Sequence, residues 1–390
     1  MGKLKKYLLL LFMIENLCTK TTWLYQFTEP VFYTFLVLGV LMIFGGGISS
    51  KKTTGRFGWM FALSFIYIFD CFIVGVDFLN QENIIFMGAK IATFLIVITS
   101  LNNNYAFYER KGIYMYALVA SVALVFGFVF PGSGHETVYD GEERAALGFV
   151  NSNSLAGSAT IILAILLFEY RDKKMKWYIK ALCALAVFAT MASGSRASMV
   201  VMAIILFLRF RISAKMVLLA AAVVVAVLVV LPGLDINVAG VRRIKETVNG
   251  EIGTNRDDER RAAIFMIEER PLTGWGLVTE NKGRAAQLTM MGSHNSYLDL
   301  AKTMGIPLAI IWFGIASSVI YQYMSNRKRY NLPFDFFCVY ALCTLFKGFF
   351  EPMFAGVHEI ECNMFFISLA VLSMRLYNAK HGIVKYKPTT

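Results

Sequence analysis

The sequence predicts an all-α polytopic membrane protein, and three observations carry the prediction. Of its 390 residues 57% are hydrophobic and 16% charged, where soluble domains carry about 25% charged. Apolar runs of about 20 residues, the length a helix needs to cross a bilayer, recur along the whole chain. Lysine and arginine gather in alternate connections between those runs, as they do on the cytoplasmic side of a membrane. The same composition excludes a disordered chain, a disulfide scaffold and a repeat solenoid. A net charge of +12 is accounted for by the basic loops and gives no ground for a nucleic-acid partner.

Taken in order, the apolar runs predict about 12 transmembrane helices. They lie near 7–27, 31–48, 59–79, 84–101, 113–130, 153–169, 178–193, 197–210, 215–231, 303–323, 334–350 and 362–377. The first has a basic flank but no small-residue cleavage site, so it reads as a retained helix and not a signal peptide. Basic residues fall in alternate connections: Lys3, Lys5 and Lys6; Lys51, Lys52 and Arg56; Arg110 and Lys111; Arg171, Lys173, Lys174 and Lys176; Arg209, Arg211 and Lys215; Arg327, Lys328 and Arg329; Lys380, Lys385 and Lys387. The intervening loops 28–30, 80–83 and 351–361 are poor in base or acidic. N and C termini are therefore expected in the cytoplasm. The six cysteines sit in apolar stretches without metal-site spacing and read as small buried hydrophobes.

One connection departs from the short-loop pattern. From Pro232 to His294 the chain is long and charged, and loops beyond about 60 residues escape the charge rule. The sequence thus divides into 1–231 with helices one to nine, 232–302 as a large external loop, and 303–390 with helices ten to twelve and a cytoplasmic tail. Within the loop, 257–269 sets Ala263, Met266 and Ile267 on one side at helical spacing and stops before Pro271. It predicts an amphipathic helix lying on the outer membrane surface or roofing a cavity. Asp257-Asp258-Glu259 at its start suits the helix dipole.

Three positions on the predicted outer side can do chemistry. Arg196 follows the tight turn Ser193-Gly194-Ser195, Arg256 opens the amphipathic helix with Arg260 one turn on and Arg261 beside it, and His294 precedes the tenth span. Arginine's planar fork stays charged and donates in pairs to phosphate oxygens. A histidine near such cations would be held neutral by like charge and could take a proton from a hydroxyl. The matching substrate carries a diphosphate and meets a nucleophilic hydroxyl. Each position also has a plainer reading, as a head-group anchor or a structural hydrogen bonder. In the last external loop, Glu351, His358, Glu359 and Glu361 are candidates to orient an acceptor sugar, while the acidic 135–143 loop reads as solvated. Asn151 and Asn153 begin the sixth span, where an amide cap is ordinary. Ionisable residues in or near spans, namely Asp70, Asp77, Lys90, Asp299, Lys302, Lys347 and Glu351, keep a transporter or flippase of lipid-linked sugars as the alternative of another class.

Three stretches resemble one known family. Arg144, Gly148, Phe149, Asn151-Ser152-Asn153 and Ala156 are similar to a segment of the O-antigen polymerase and ligase superfamily, the Wzy and WaaL types. Ser193-Gly194-Ser195-Arg196-Ala197 resembles its second motif. Arg256, Pro271-Leu272-Thr273-Gly274-Trp275-Gly276 and His294-Asn295-Ser296-Tyr297-Leu298 resemble the signature of its large external loop. The chain departs at Arg260, where the family usually has Trp, and at Ser152, where it has Pro.

The resemblance implies a GT-C-like glycosyltransferase of a bacterial cytoplasmic membrane, with its active site on the outer face. In it Arg196 and Arg256 would hold the diphosphate of an undecaprenyl-linked oligosaccharide and His294 would be the general base. Arg260, Arg144, Asn153, Asn295, Tyr297 and Glu351 would bind substrate. No cofactor and no metal are expected, because the chain has no Asp-x-Asp, P-loop, HExxH or Gly-x-Ser-x-Gly pattern. The implied reaction is inverting transfer of a glycan to another lipid-linked repeat unit, as in capsule or exopolysaccharide polymerisation, beside a flippase and a chain-length regulator of the same pathway. Transfer to a lipid A core, the ligase reaction, fits the same motifs.

Overall fold

A computed structural model describes residues 2–44, 51–75, 81–130, 145–171, 173–210, 256–276, 293–354 and 359–386. Among them the chain is all-helical, apart from an isolated bridge between Thr21 and Phe149. The helices are α1 (Gly2–Cys18), α2 (Tyr25–Phe44), α3 (Lys51–Gly75), α4 (Gln81–Phe107), α5 (Ile113–Val129), α6 (Ser152–Glu169), α7 (Trp177–Ala192), α8 (Arg196–Phe210), α9 (Arg256–Glu269), α10 (Ser296–Tyr330), α11 (Phe336–Lys347) and α12 (Ile360–Lys380), with a π-helical turn at Tyr108–Gly112. Four stretches are long and apolar enough to cross a membrane, Ile84–Val129, Ser152–Glu169, Ser296–Tyr330 and Ile360–Lys380, and α7 and α11 are shorter apolar helices. The protein is a multi-pass membrane protein. The predicted span 215–231 lies outside the described residues.

The chain forms two compact units: Met1–Asn16, Phe27–Ile113 and Thr254–Thr390 in the first, and Leu17–Gln26 and Tyr114–Gly253 in the second. In the first, α12 is buried along most of its length. An aromatic chain packs beside it, with Phe94 against Phe366 at 4.9 Å and Trp312 against Phe354 at 5.1 Å between ring centroids. Arg375, 2% exposed, donates to both carboxylate oxygens of Asp335 at 2.9 and 2.7 Å and through Nε to Glu109 at 3.0 Å. The π-helical turn, the start of α11 and α12 are thereby pinned together. The lysines in or at the end of apolar helices are engaged as well: Lys302 lies 3.3 Å from Asp299, Lys347 is 2.6 Å from Glu361, and Lys90 reaches the Phe354 carbonyl at 3.4 Å.

The first unit's most informative joint is a break in α10. Pro307 has no N–H to give to the Thr303 carbonyl, and its ring crowds that carbonyl. The helix opens at Gly305 (φ 76°), and the segment after α9 takes up the freed groups. Trp275 N–H donates to the Lys302 carbonyl at 3.0 Å, Gly276 N–H to Thr303 at 2.7 Å, and Ile306 N–H to the Pro271 carbonyl at 2.8 Å. Only glycine fits at the contact. A Cβ on Gly274 would lie 2.4 Å from the Thr303 oxygen, and one on Gly305 would lie 2.4 Å from the Leu272 oxygen. Trp275 Nε1 donates to the Met266 carbonyl near the end of α9, and the Arg270 guanidinium lies 4.3 Å from its ring.

The predicted amphipathic helix is α9, with Ala262, Ala263 and Met266 buried and Ile264 and Phe265 exposed. Its apolar stripe packs on α10 within the unit.

In the second unit α6 is the buried helix. Asn151 caps it, accepting from Ser154 N–H at 2.8 Å. Arg209 closes its other end, donating to the carbonyls of Leu167 at 2.7 Å and Tyr170 at 3.0 Å. α7 and α8 pack on it and are joined by the turn Ser193-Gly194-Ser195, in which Ser193 Oγ accepts from Ser195 N–H.

Candidate active site

The site grows from the start of α10. Asn295 caps this helix, its Oδ1 accepting from Tyr297 and Leu298 N–H at 3.0 and 3.2 Å. The residue before it must turn the chain sharply, and His294 does so in the left-handed region at φ 47°. That conformation is uncommon for a non-glycine residue, and such strain concentrates at functional sites. Ser293 secures the turn by donating through Oγ to Asp299 at 2.9 Å.

Two carboxylates face the His294 ring from different parts of the chain. Glu259, on the first turn of α9, sets Oε2 3.4 Å from Nε2, and Glu351 sets Oε2 3.6 Å from Nδ1. The imidazole is 31% exposed, Glu259 18% and Glu351 9%. Glu351 is held by its backbone: Ser296 Oγ donates to its carbonyl at 2.7 Å and accepts from Met353 N–H, and Ser296 N–H donates to Gly348 at 2.7 Å. Nδ1 has no hydrogen-bond partner among the described residues; a carboxylate that closes from 3.6 Å onto it would steady the imidazolium formed when the other nitrogen takes a proton.

The geometry adds a feature that the sequence reading did not anticipate: the groups facing the two nitrogens of His294 are carboxylates. Glu259 was missed as a site residue and assigned to the helix dipole. Nothing in its own neighbourhood marks it, since it meets His294 only after the chain has passed through the α9–α10 joint.

The other expected residues are distributed as follows. Arg256 is the first residue of α9 and its side chain lies outside the described set, while Arg260 is half-buried on the next turn. Tyr297 is engaged within the protein, donating to the Leu345 carbonyl at 2.6 Å with its ring 4.5 Å from that of Phe349. Arg196 opens α8 and Asn153 lies in the first turn of α6, both half-buried in the second unit. Arg144, Asp77, His358 and the acidic 135–143 loop lie outside the described residues. Glu361 pairs with Lys347 and Glu359 stands at the N-cap of α12.

Residues 181–313 match a family model described as O-antigen ligase. The matched stretch is about a third of the chain and includes Arg196, Arg256, Arg260 and His294, but not Arg144, Asn153 or Glu351. No curated protein matches the chain. Over those residues the chain is similar to the O-antigen ligase family, in line with the resemblance to the O-antigen polymerase and ligase superfamily read from its motifs.

Proposed function

We propose that the protein is a polysaccharide polymerase of the bacterial cytoplasmic membrane. It transfers an undecaprenyl-diphosphate-linked glycan onto a hydroxyl of another lipid-linked repeat unit at the outer face. The observation that carries the reading is His294, turned into a left-handed conformation between Glu259 and Glu351 inside a motif of this family. His294 takes the proton of the acceptor hydroxyl while its oxygen bonds to the donor's anomeric carbon. The bond from that carbon to the diphosphate oxygen breaks, and the electron pair leaves on the lipid diphosphate. Arg196 and Arg256 are assigned to the diphosphate, whose growing charge paired guanidinium donors stabilise without a metal. Arg260, Arg144 and Asn153 are assigned to substrate, and Glu351 to orienting the His294 ring. Asn295 and Tyr297 act from behind the site, as cap and packing of the α10 start.

Purified protein given undecaprenyl-diphosphate repeat units is expected to lengthen them, and His294→Ala to abolish elongation in a folded protein. Elongation by that variant at the parental rate would remove His294 from the role of base. Activity lost in chelator and restored by Mg²⁺ would contradict the metal-independent step. The description of the matched family favours a second reading, transfer of the glycan to a lipid A core. Offering both acceptors to one preparation and analysing the products separates the two.

A further inference from the structure

Both nitrogens of His294 face a carboxylate, yet a base must leave one nitrogen to the hydroxyl it deprotonates. One carboxylate therefore stays behind the ring while the other stands where the acceptor arrives, and the two differ in how firmly they are held. Glu351 is the deeper, and the Ser296 bonds to Glu351 and Met353 fix its backbone. Its N–H adds a further tie to the Lys347 carbonyl at 3.1 Å. Glu259 projects from a helix whose neighbouring residue Asp258 is exposed, and it is twice as exposed as Glu351. Its Oε2 is buried with no hydrogen-bond partner among the described residues, 3.4 Å from Nε2. A buried acceptor atom without a donor is costly, and a ligand hydroxyl would relieve it.

We propose that Glu259 is an acceptor-binding residue and that the acceptor hydroxyl reaches His294 at Nε2. The proposal rests on His294 being the base. Glu259 Oε2 marks the place of the incoming hydroxyl in the substrate-free protein. When the acceptor enters, the attacking hydroxyl donates to Nε2, and the displaced carboxylate accepts from the adjacent hydroxyl of the same sugar. The substrate class this selects is an acceptor sugar with a free hydroxyl next to the attacking one. Glu351 remains at Nδ1 as a positioning residue.

The two carboxylates then separate kinetically. With a pre-extended, labelled donor held fixed and the unextended lipid-linked repeat unit of the producing cells varied as acceptor, Glu259→Gln is expected to raise the acceptor KM about tenfold with kcat within about twofold, the signature of lost binding. Glu351→Gln is expected to do the reverse, lowering kcat at an unchanged acceptor KM. Glu259→Asp keeps the charge at shorter reach and is expected to fall between parent and Glu259→Gln. Thermal unfolding of each purified variant identifies a misfolded one; should Glu259→Gln misfold, Glu259→Asp must itself raise the acceptor KM. Parental kinetics in Glu259→Gln, or a fall in kcat alone, would overturn the assignment. The underlying reading is judged separately by His294→Ala: elongation by that variant would sink the base assignment whatever the Glu259 variants do.

Discussion

In the first unit, α10 opens at Gly305 and its freed carbonyls are taken by backbone N–H groups of Trp275 and Gly276. In the second, α6 ends near Tyr170 and its carbonyls are taken by the side chain of Arg209, while Asn151 closes the other end from within the same turn. The second arrangement finishes a helix with caps. The first also ties in a separate helix, because the segment that fills the break follows α9 directly. The broken helix therefore sets where α9 lies, and with it where Glu259 stands relative to His294. A defect in the first unit should disturb geometry and chemistry together, whereas a lost cap in the second should cost stability in proportion to the bond removed.

The largest expected effect tests how far the first unit depends on distant partners. Arg375→Met leaves Glu109 and Asp335 without their cation, and breaking a buried pair from one side costs about 3–5 kcal/mol. A fall in thermal unfolding temperature checks it, and an unchanged temperature would break the contrast between the units. Next, Gly305→Ala must hold a side chain at positive φ against the Leu272 carbonyl. Strain of this kind costs about 1–3 kcal/mol, and elongation is expected to fall as α9 is displaced. Parental elongation in a folded Gly305→Ala protein would detach the joint from the site. Smaller and more pointed is a pair of caps: Asn295→Ala and Asn151→Ala are each expected to lose about 1 kcal/mol. Asn295→Ala should also slow transfer, because it loosens the turn that holds His294. Smallest is Lys173→Ala, which removes an exposed pair with Glu169 in the second unit and is expected to cost about 0.5 kcal/mol or less.

Much of the fold was legible because apolar runs, caps and basic loops are local signals. The predicted segments 153–169 and 362–377 fall on α6 and α12, and Ala263 with Met266 gave the buried face of α9. Long-range features were not legible. Gly274 and Gly305 are held by the backbone of each other's segment, which no local pattern reveals, and Glu259 and Glu351 reach His294 only through the fold. These two acids lie far apart in the chain, and no local pattern announces their meeting at the imidazole.

The α9–α10 joint has a practical consequence. Since its hydrogen bonds are made by main chain, the side chains of Leu272 and Thr273 are left exposed, neither anchoring the contact. Five of the six native cysteines are buried, and Cys18 is partly so. A thiol introduced at Thr273 would therefore be an accessible attachment point beside the joint. A spin label or fluorophore there would let the approach of α9 be followed in a lipid vesicle while substrate is added, with no alteration to His294 or its two acids.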